Sequence, residues 1–362
     1  MTNKFYPNIA IPPGVTLIEI LKEKNMTQTE LANRTGRPIK TISEIVNGKA
    51  EITPETAIQF EKVLGLPASF WLNLQMNFNE TLARIKEKEC LEEQISWLKL
   101  LPIKQMIEYN WIKKKEDLIK QLEEVFLFFN VANLKGWEKT WEQKLGCAFA
   151  FRKSEISQLS KVALSAWLRR GEIVANSIEC KPFNNKELEN RITELIKLTM
   201  TDPDYFQIKI NEICSKCGIA VVFVKELPKV PVNGVTYWLN SSKAVIQLSL
   251  RYRTDDQLWF SFFHEIGHIL LHGKRDFYYT NYEEEYKAWE EEANKFARDT
   301  LIPEIYYTNF IKMNKIFSRK NVIEFANILN ISPGIVVGRL QHDKYIGYDM
   351  LNDLKRKFKW AD

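Results

Sequence analysis

The stretch 254–303 limits what this chain can fold into more than any other. It reads TDDQLWFSFFHEIGHILLHG, then a polar, aromatic linker, then YKAWEEEANKFARDTLIP. Thr254 with Gln257 three residues later makes a capping-box start, and Asp255 and Asp256 suit the positive end of a helix dipole. Leu258, Phe262, Ile269 and Leu270 recur at helical spacing until His272 and Gly273 end the run. On such a helix His264 and His268 lie about 40° apart around the axis and about 6 Å apart along it, so both imidazoles face one point. That arrangement suits two nitrogen ligands of a tetrahedral zinc, with Glu265 beside them as a general base.

A catalytic zinc takes a third protein ligand and keeps one position open for water. The second helix offers Glu290 and Asn294 on one face, so that one can ligate while the other holds a ligand histidine as outer support. Pro303 stops that helix. Two amphipathic helices that carry His and Glu by coincidence are the plainer alternative. The chain has only four histidines, however, and three of them fall within nine residues of the first helix. His272 competes for the third ligand position one turn further on, and Glu283, Glu284 and Glu285 are weaker rivals. The need for a ligand from a second element favours Glu290. His342 stands alone in a Gln-His-Asp segment, without ligand partners nearby in sequence.

These residues also carry a resemblance. HEIGHILLHG followed by EEEANKFARDTLIP resembles the ImmA/IrrE family of zinc metallopeptidases, as does the segment that leads from GIAVVF into the first helix. The resemblance implies a zincin-like domain, with His264, His268 and Glu290 as metal ligands and Glu265 as the base. It also implies a protein substrate, since that family clips regulatory proteins, typically helix-turn-helix repressors.

At the other end, residues 12–78 read as five short helices. Thr27 and Glu30 form a capping box, Gly36 makes a turn, and residues 38–46 give a third helix ended by Asn47 and Gly48. Thr53 and Pro54 supply an N-cap and first-turn proline for the fourth. Two short helices joined by a glycine turn, inside a small helical unit, form a helix-turn-helix. TQTELANRTGRPIKTISEIVNGKAEITPETAIQFEKVLGLPASFWLNLQ is similar to the lambda-repressor-like (XRE) domains, and in particular to HigA-type antitoxins. The resemblance implies that the third helix enters the major groove with Lys40, Thr41 and Glu44 towards base edges, while Gln28 and Lys49 approach phosphates. Pro38 departs from the usual Ser/Thr cap, and Arg37 and Ile39 flank it. Residues 1–79 carry eight Lys/Arg against seven Asp/Glu, so the recognition rests on fold rather than charge. Docking of a protein is the alternative use of such a unit.

Composition narrows the class further. A chain of 362 residues with 45% apolar residues buries ample core for two or three domains, and its net charge of +5 permits nucleic-acid contact without requiring it. Five scattered cysteines make no disulfide framework, which points to a reducing compartment. Cys214 and Cys217 form a CxxC without a second ligand pair and read as buried thiols. No apolar window reaches membrane-spanning length, so a cytoplasmic protein is expected.

Residues 102–200 are helical and aromatic-rich, with Trp137, Trp141 and Trp167 expected in the core, and Arg169-Arg170 at a solvated helix end. Residues 219–224, 235–239 and 244–249 read as strands, with a turn at 240–243 and breaks at Pro228 and Pro231. A peptide can add to the edge of such a sheet, which makes Asn233, Gly234 and Tyr237 candidates for substrate contact.

The expected fold is mainly α with a small β-sheet (α+β). Its expected parts are a helix-turn-helix domain at 1–79, a helical middle at 80–200, a zinc peptidase domain at 201–310 and a helical appendage at 311–362. The expected activity is that of a Zn2+-dependent regulatory endopeptidase coupled to operator DNA. The rival is a HigA-like antitoxin or repressor that binds a cognate toxin and uses the zinc domain as sensor or scaffold. A homodimer is compatible with either.

Overall fold

Caps and breakers divide the N-terminal residues much as their spacing predicts. A computed structural model describes residues 9–149, 158–230, 232–273 and 283–360, which fall into two units, Met1–Ile95 and Ser96–Asp362. The linker 274–282, Pro231 and the side chains of the rival ligands Glu283, Glu284 and Glu285 lie outside the described residues.

In the first unit α1 (Pro13–Glu23) opens on its proline. The Thr27 hydroxyl accepts from Glu30 N–H at 3.1 Å and starts α2 (Gln28–Thr35). Gly36, at φ +68°, closes it in the left-handed region that favours glycine. Next, α3 (Ile39–Val46) follows Pro38 with no side-chain cap, and Thr53 caps α4 (Pro54–Leu64). Leu17, Leu31, Ile42, Ile45, Phe60 and Trp71 close one core, with the Phe60 and Trp71 rings edge-on at 5.3 Å. The fifth helix, α5 (Ala68–Gln94), is longer than the short one expected. No glycine or proline interrupts it, and Glu80–Arg84 supports it on the exposed face.

The second unit begins with helices α6 (Ile103–Glu108), α7 (Leu118–Phe129), α8 (Leu134–Phe149), α9 (Gln158–Asn176), α10 (Asn185–Lys197) and α11 (Pro203–Lys216). Trp137, Trp141 and Trp167 are buried, as aromatic stripes lead one to expect. Arg169 is not at a solvated end: it donates to Phe128 O at 2.8 Å and pairs with Glu172 at 3.1 Å. Cys214 and Cys217 are buried free thiols, and burial raises the pKa of each.

Strands β1 (Ile219–Phe223), β2 (Gly234–Asn240) and β3 (Lys243–Leu248) form one sheet in the order β1-β3-β2. β1 runs parallel to β3, while β2 pairs antiparallel with β3, Thr236 opposite Ile246 and Tyr237 opposite Val245. Alternation gives the sheet two faces. On one, Gln247 donates to Trp167 O of α9 at 2.7 Å. On the other, Val221 and Ile246 pack with Phe206 of α11 and with Trp259, Phe262 and Phe263 of α12 (Asp255–Gly267). After a π-type turn at His268–His272 come α13 (Glu283–Leu301), α14 (Glu304–Met313), α15 (Arg319–Leu329) and α16 (Pro333–His342), whose Val322, Phe325, Val336 and Leu340 join the same core. Thr254 does not provide the expected capping bond. It is drawn into a β-bridge with Lys357, and the Asp255 carboxylate accepts from Asp256 N–H and Arg356 N–H instead.

The architecture is mainly α with a small sheet. No single helix among the described residues is long and apolar enough to cross a membrane.

Candidate metal centre and helix-turn-helix surface

The last turn of α12 presents His264 and Glu265, and the π-type turn continues the same stripe with His268 and His272. His264 Nε2 and His268 Nε2 face each other at 3.0 Å. The Glu290 carboxylate of α13 meets both, at 3.0 Å from His268 and 3.5 Å from His264. What lets Glu290 reach is a close helix crossing. A Cβ added at Gly267 would sit 3.2 Å from Ala293 Cα and 3.1 Å from the Phe296 ring, so Gly267 and the fully buried Ala293 hold the two helices together.

These donors fit a divalent metal. Ligands bound at about 2.1 Å in a tetrahedron lie about 3.4 Å from one another, close to the three separations observed. Two neutral imidazoles and one carboxylate are a set that zinc accepts, and all three ligand atoms lie within 4.8 Å of one another.

Glu265 sits beside them, 5% exposed. Its Oε2 accepts from the Thr236 hydroxyl at 2.8 Å, which ties the carboxylate to β2. Burial raises its pKa, against the lowering pull of His264, His268 and the Thr236 hydrogen bond. Burial also opposes charge on His268, yet the hydrogen bond to Glu290 and the nearby Glu265 carry its pKa above the ordinary histidine value. His272 goes the other way, lowered chiefly by burial.

His272 stands apart from the three converging donors. Its Nδ1 lies 3.1 Å from His268 Nδ1, its Nε2 lies 3.0 Å from Glu292 Oε2, and its ring stacks on Trp289 at 5.3 Å. Of the two residues expected to support the ligands from behind, Asn294 and His272, His272 meets His268 and Glu292, while Asn294 lines a neighbouring pocket. Thr236 and Glu292 escape a reading of the sequence. Nothing in the spacing of residues 236 and 265 signals contact, and Glu292 is one of three consecutive glutamates.

Of the three substrate candidates, Gly234 lies against the site. A Cβ there would stand 2.9 Å from Glu265 Oε1, so only glycine lets β2 approach so closely. Neighbouring Asn233 accepts from Ser249 N–H through its backbone oxygen at 2.8 Å. Tyr237 falls on the opposite face of the strand from Thr236, where its hydroxyl meets Gln247 Oε1 at 3.1 Å, so the structure does not bring it to Glu265. The outer side of β2 is a sheet edge among the described residues.

In the first unit, burial of Ile42 and Ile45 turns the other face of α3 outward. Lys40 is exposed, 85% by side chain, and lies 3.8 Å from Glu44. Thr41 and Glu44 are half-buried, Gln28 begins α2 half-exposed, and Lys49 is exposed just past Gly48. Arg37 spends a donor on Gln59 of α4.

Comparison with known proteins follows the same division. Residues 17–71 match the helix-turn-helix family model, and residues 214–341 match that of the IrrE N-terminal-like domain. The N-terminal part is 40% identical over 63 residues to the uncharacterized HTH-type transcriptional regulator YddM of Escherichia coli K12, covering 17% of this chain and 67% of that protein. It is 38% identical over 68 residues to virulence-associated protein A of Dichelobacter nodosus, covering 18% and 67%. Among solved structures, an addiction module antidote protein of a HigA family from Coxiella burnetii is 32% identical, covering 23% of this chain and 92% of its own, with a TM-score of 0.22.

Proposed function

The chain belongs to the helix-turn-helix family through residues 17–71 and carries an IrrE N-terminal-like domain over residues 214–341, and from that premise we propose a zinc-dependent endopeptidase that cleaves a regulatory protein while its N-terminal domain engages operator DNA. It is a regulator with a peptidase-like domain. The observation that supports the finer reading most is one buried carboxylate, Glu265, set beside three converging donors: His264, His268 and Glu290.

Zinc bound there would supply Lewis acidity and an acidified water. The chain's own residues do the rest. Glu265, held by Thr236 and made more basic by burial, takes a proton from the attacking water and returns it to the leaving amine. A substrate strand lies along the free edge of β2, its backbone amides paired with that strand. Were His268 to hold the metal through Nε2, its proton would be on Nδ1 and donated to His272 Nδ1. His272 then carries its own proton on Nε2 and donates it to Glu292. Glu292 thereby fixes the tautomers of two histidines in series.

The test is metal content together with proteolysis. We expect about one zinc per chain in the wild type, its loss in His264→Ala and Glu290→Ala, and its retention without proteolysis in Glu265→Gln. A zinc-free wild type after reconstitution, or a Glu265→Gln variant that still cleaves at the normal rate, overturns this reading. The second reading is a HigA-like antitoxin or repressor with the zinc domain as sensor or scaffold. It draws on the N-terminal identity to a transcriptional regulator and requires repression that survives Glu265→Gln and tight binding of a toxin.

A further inference from the structure

Next to the metal-ligand cluster a pocket of about 350 Å3 opens between α12, α13 and α16. Its surface is mostly carbon, supplied by the half-exposed Phe260 and by Leu301, Ile302 and Ile335. Pocket and cluster open on one face of the helix pair. Along α12, Gln257, Phe260 and His264 recur every three or four residues and stay accessible, while Trp259, Phe262 and Phe263 turn into the core. Along α13, Glu290, Asn294 and Arg298 make the facing accessible stripe, with Ala293 and Ala297 buried behind it. Cluster and pocket meet at two points. Phe260, a pocket wall, stacks its ring on the His264 imidazole at 6.3 Å. Asn294, also in the lining, stands one turn along α13 from Glu290. One such turn is a rise of about 6 Å, a gap that a single long side chain can cross.

The lining also indicates what kind of side chain belongs there. Its charged residues are already paired within the protein: Arg298 with Glu291 at 2.8 Å, Asp256 with Lys355 at 2.7 Å and Arg339 with Asp343 at 2.6 Å. None of these pairs calls for a charged occupant, and a charged tip entering the pocket would lose water without a dedicated partner. An apolar occupant gains in proportion to the area it takes out of water, so a large side chain gains most. The volume lies within the range of pockets that enclose most of a bound group.

We propose that this pocket is the specificity subsite of the peptidase centre, and that it takes a large apolar side chain, aromatic or long aliphatic, from the substrate residue next to the scissile bond. The subsite rests on the metallopeptidase reading, and the test tells failure of the one from failure of the other. The probes are glycine, lysine and phenylalanine hydroxamates, metal chelators that differ only in side chain, together with phenylalanine amide, which has the ring but not the chelator. Binding to the zinc-loaded full chain is measured by calorimetry. Burial of the ring should strengthen phenylalanine hydroxamate over glycine hydroxamate by about 10- to 100-fold, while lysine hydroxamate gains little. Ile335→Trp fills the pocket from α16 and should abolish the preference for phenylalanine while glycine hydroxamate binds as before. Gln257→Trp, at an exposed position on the rim, should do the same if the buried substitution disturbs the fold. Equal binding of glycine and phenylalanine hydroxamates overturns the subsite and leaves the metal centre standing, and equal binding of lysine and phenylalanine hydroxamates overturns its apolar selectivity. A preference that survives both tryptophan variants places the ring elsewhere and overturns the assignment. Phenylalanine amide binding as tightly as the hydroxamate would make the pocket a separate small-molecule site and overturn it too. If glycine hydroxamate itself does not bind, the metal reading falls and takes the subsite with it.

Discussion

The two units place their working residues in opposite ways. The helix-turn-helix surface is assembled locally: Gln28, Lys40, Glu44 and Lys49 all sit within 22 consecutive positions, on α2, α3 and the turn that follows α3. The candidate metal centre is assembled at a distance. Thr236 reaches Glu265 across 29 positions and Glu292 reaches His272 across 20. A locally built surface needs only a stable core beneath it, whereas a site built from three elements needs their mutual spacing held. Damage to the core should therefore cost the first its fold, while damage to single contacts should cost the second its chemistry.

The sharpest break is Phe60→Ala, which opens a cavity in the N-terminal core and removes one of the two rings, Phe60 and Phe70, that meet Trp71 edge-on. We expect a loss of about 3–5 kcal/mol from that unit alone, read as an early unfolding transition with metal content intact. Loss of metal in the same variant would refute the separation. In the second unit Glu292→Ala removes the end of the histidine relay. Zinc affinity, measured by chelator competition, should fall about 10- to 100-fold at unchanged melting temperature. A smaller effect belongs to Lys49→Ala, which should weaken operator binding and lower the slope of log affinity against log salt by about 1. Should the slope stay put, Lys49 does not meet a phosphate.

The smallest effect is one of pH. Burial raises the Asp255 pKa above its ordinary value, against the lowering influence of Ser332 and Arg356. Its stabilising contribution is then fully present below the unfolded pKa, near 3.8, and is lost as pH rises through the folded value. Unfolding of the second unit by urea should show that loss in wild type and not in Asp255→Asn.

Much of this was legible in the sequence, for local reasons. Helical periodicity and turn residues placed every strand and most helices, and the i, i+4 spacing put His264 and His268 on one face. Glu290 was singled out because a zinc site would need a ligand from a second element, and the structure brings its carboxylate to both histidines. What stayed hidden depends on parity and packing. Which face of β2 meets α12 is decided by where the sheet docks, so Tyr237 and Thr236 were indistinguishable until the strand was placed. Thr254 does stand at the N-cap, but its side chain makes no capping bond, and the backbone around it pairs with residues 356–358, a long-range contact that no local pattern announces. The pocket, too, needs α16, which no local pattern connects to α12.

The contact between Gly267 and Ala293 carries a consequence for engineering. It sets the separation of the two helices, and so the size of the triangle formed by the donors of His264, His268 and Glu290. None of the ligands controls that size. Grafting the three ligands and Glu265 onto another helix pair would transplant the vocabulary of the site without its dimensions. The smallest portable version must include two residues that have no functional group at all.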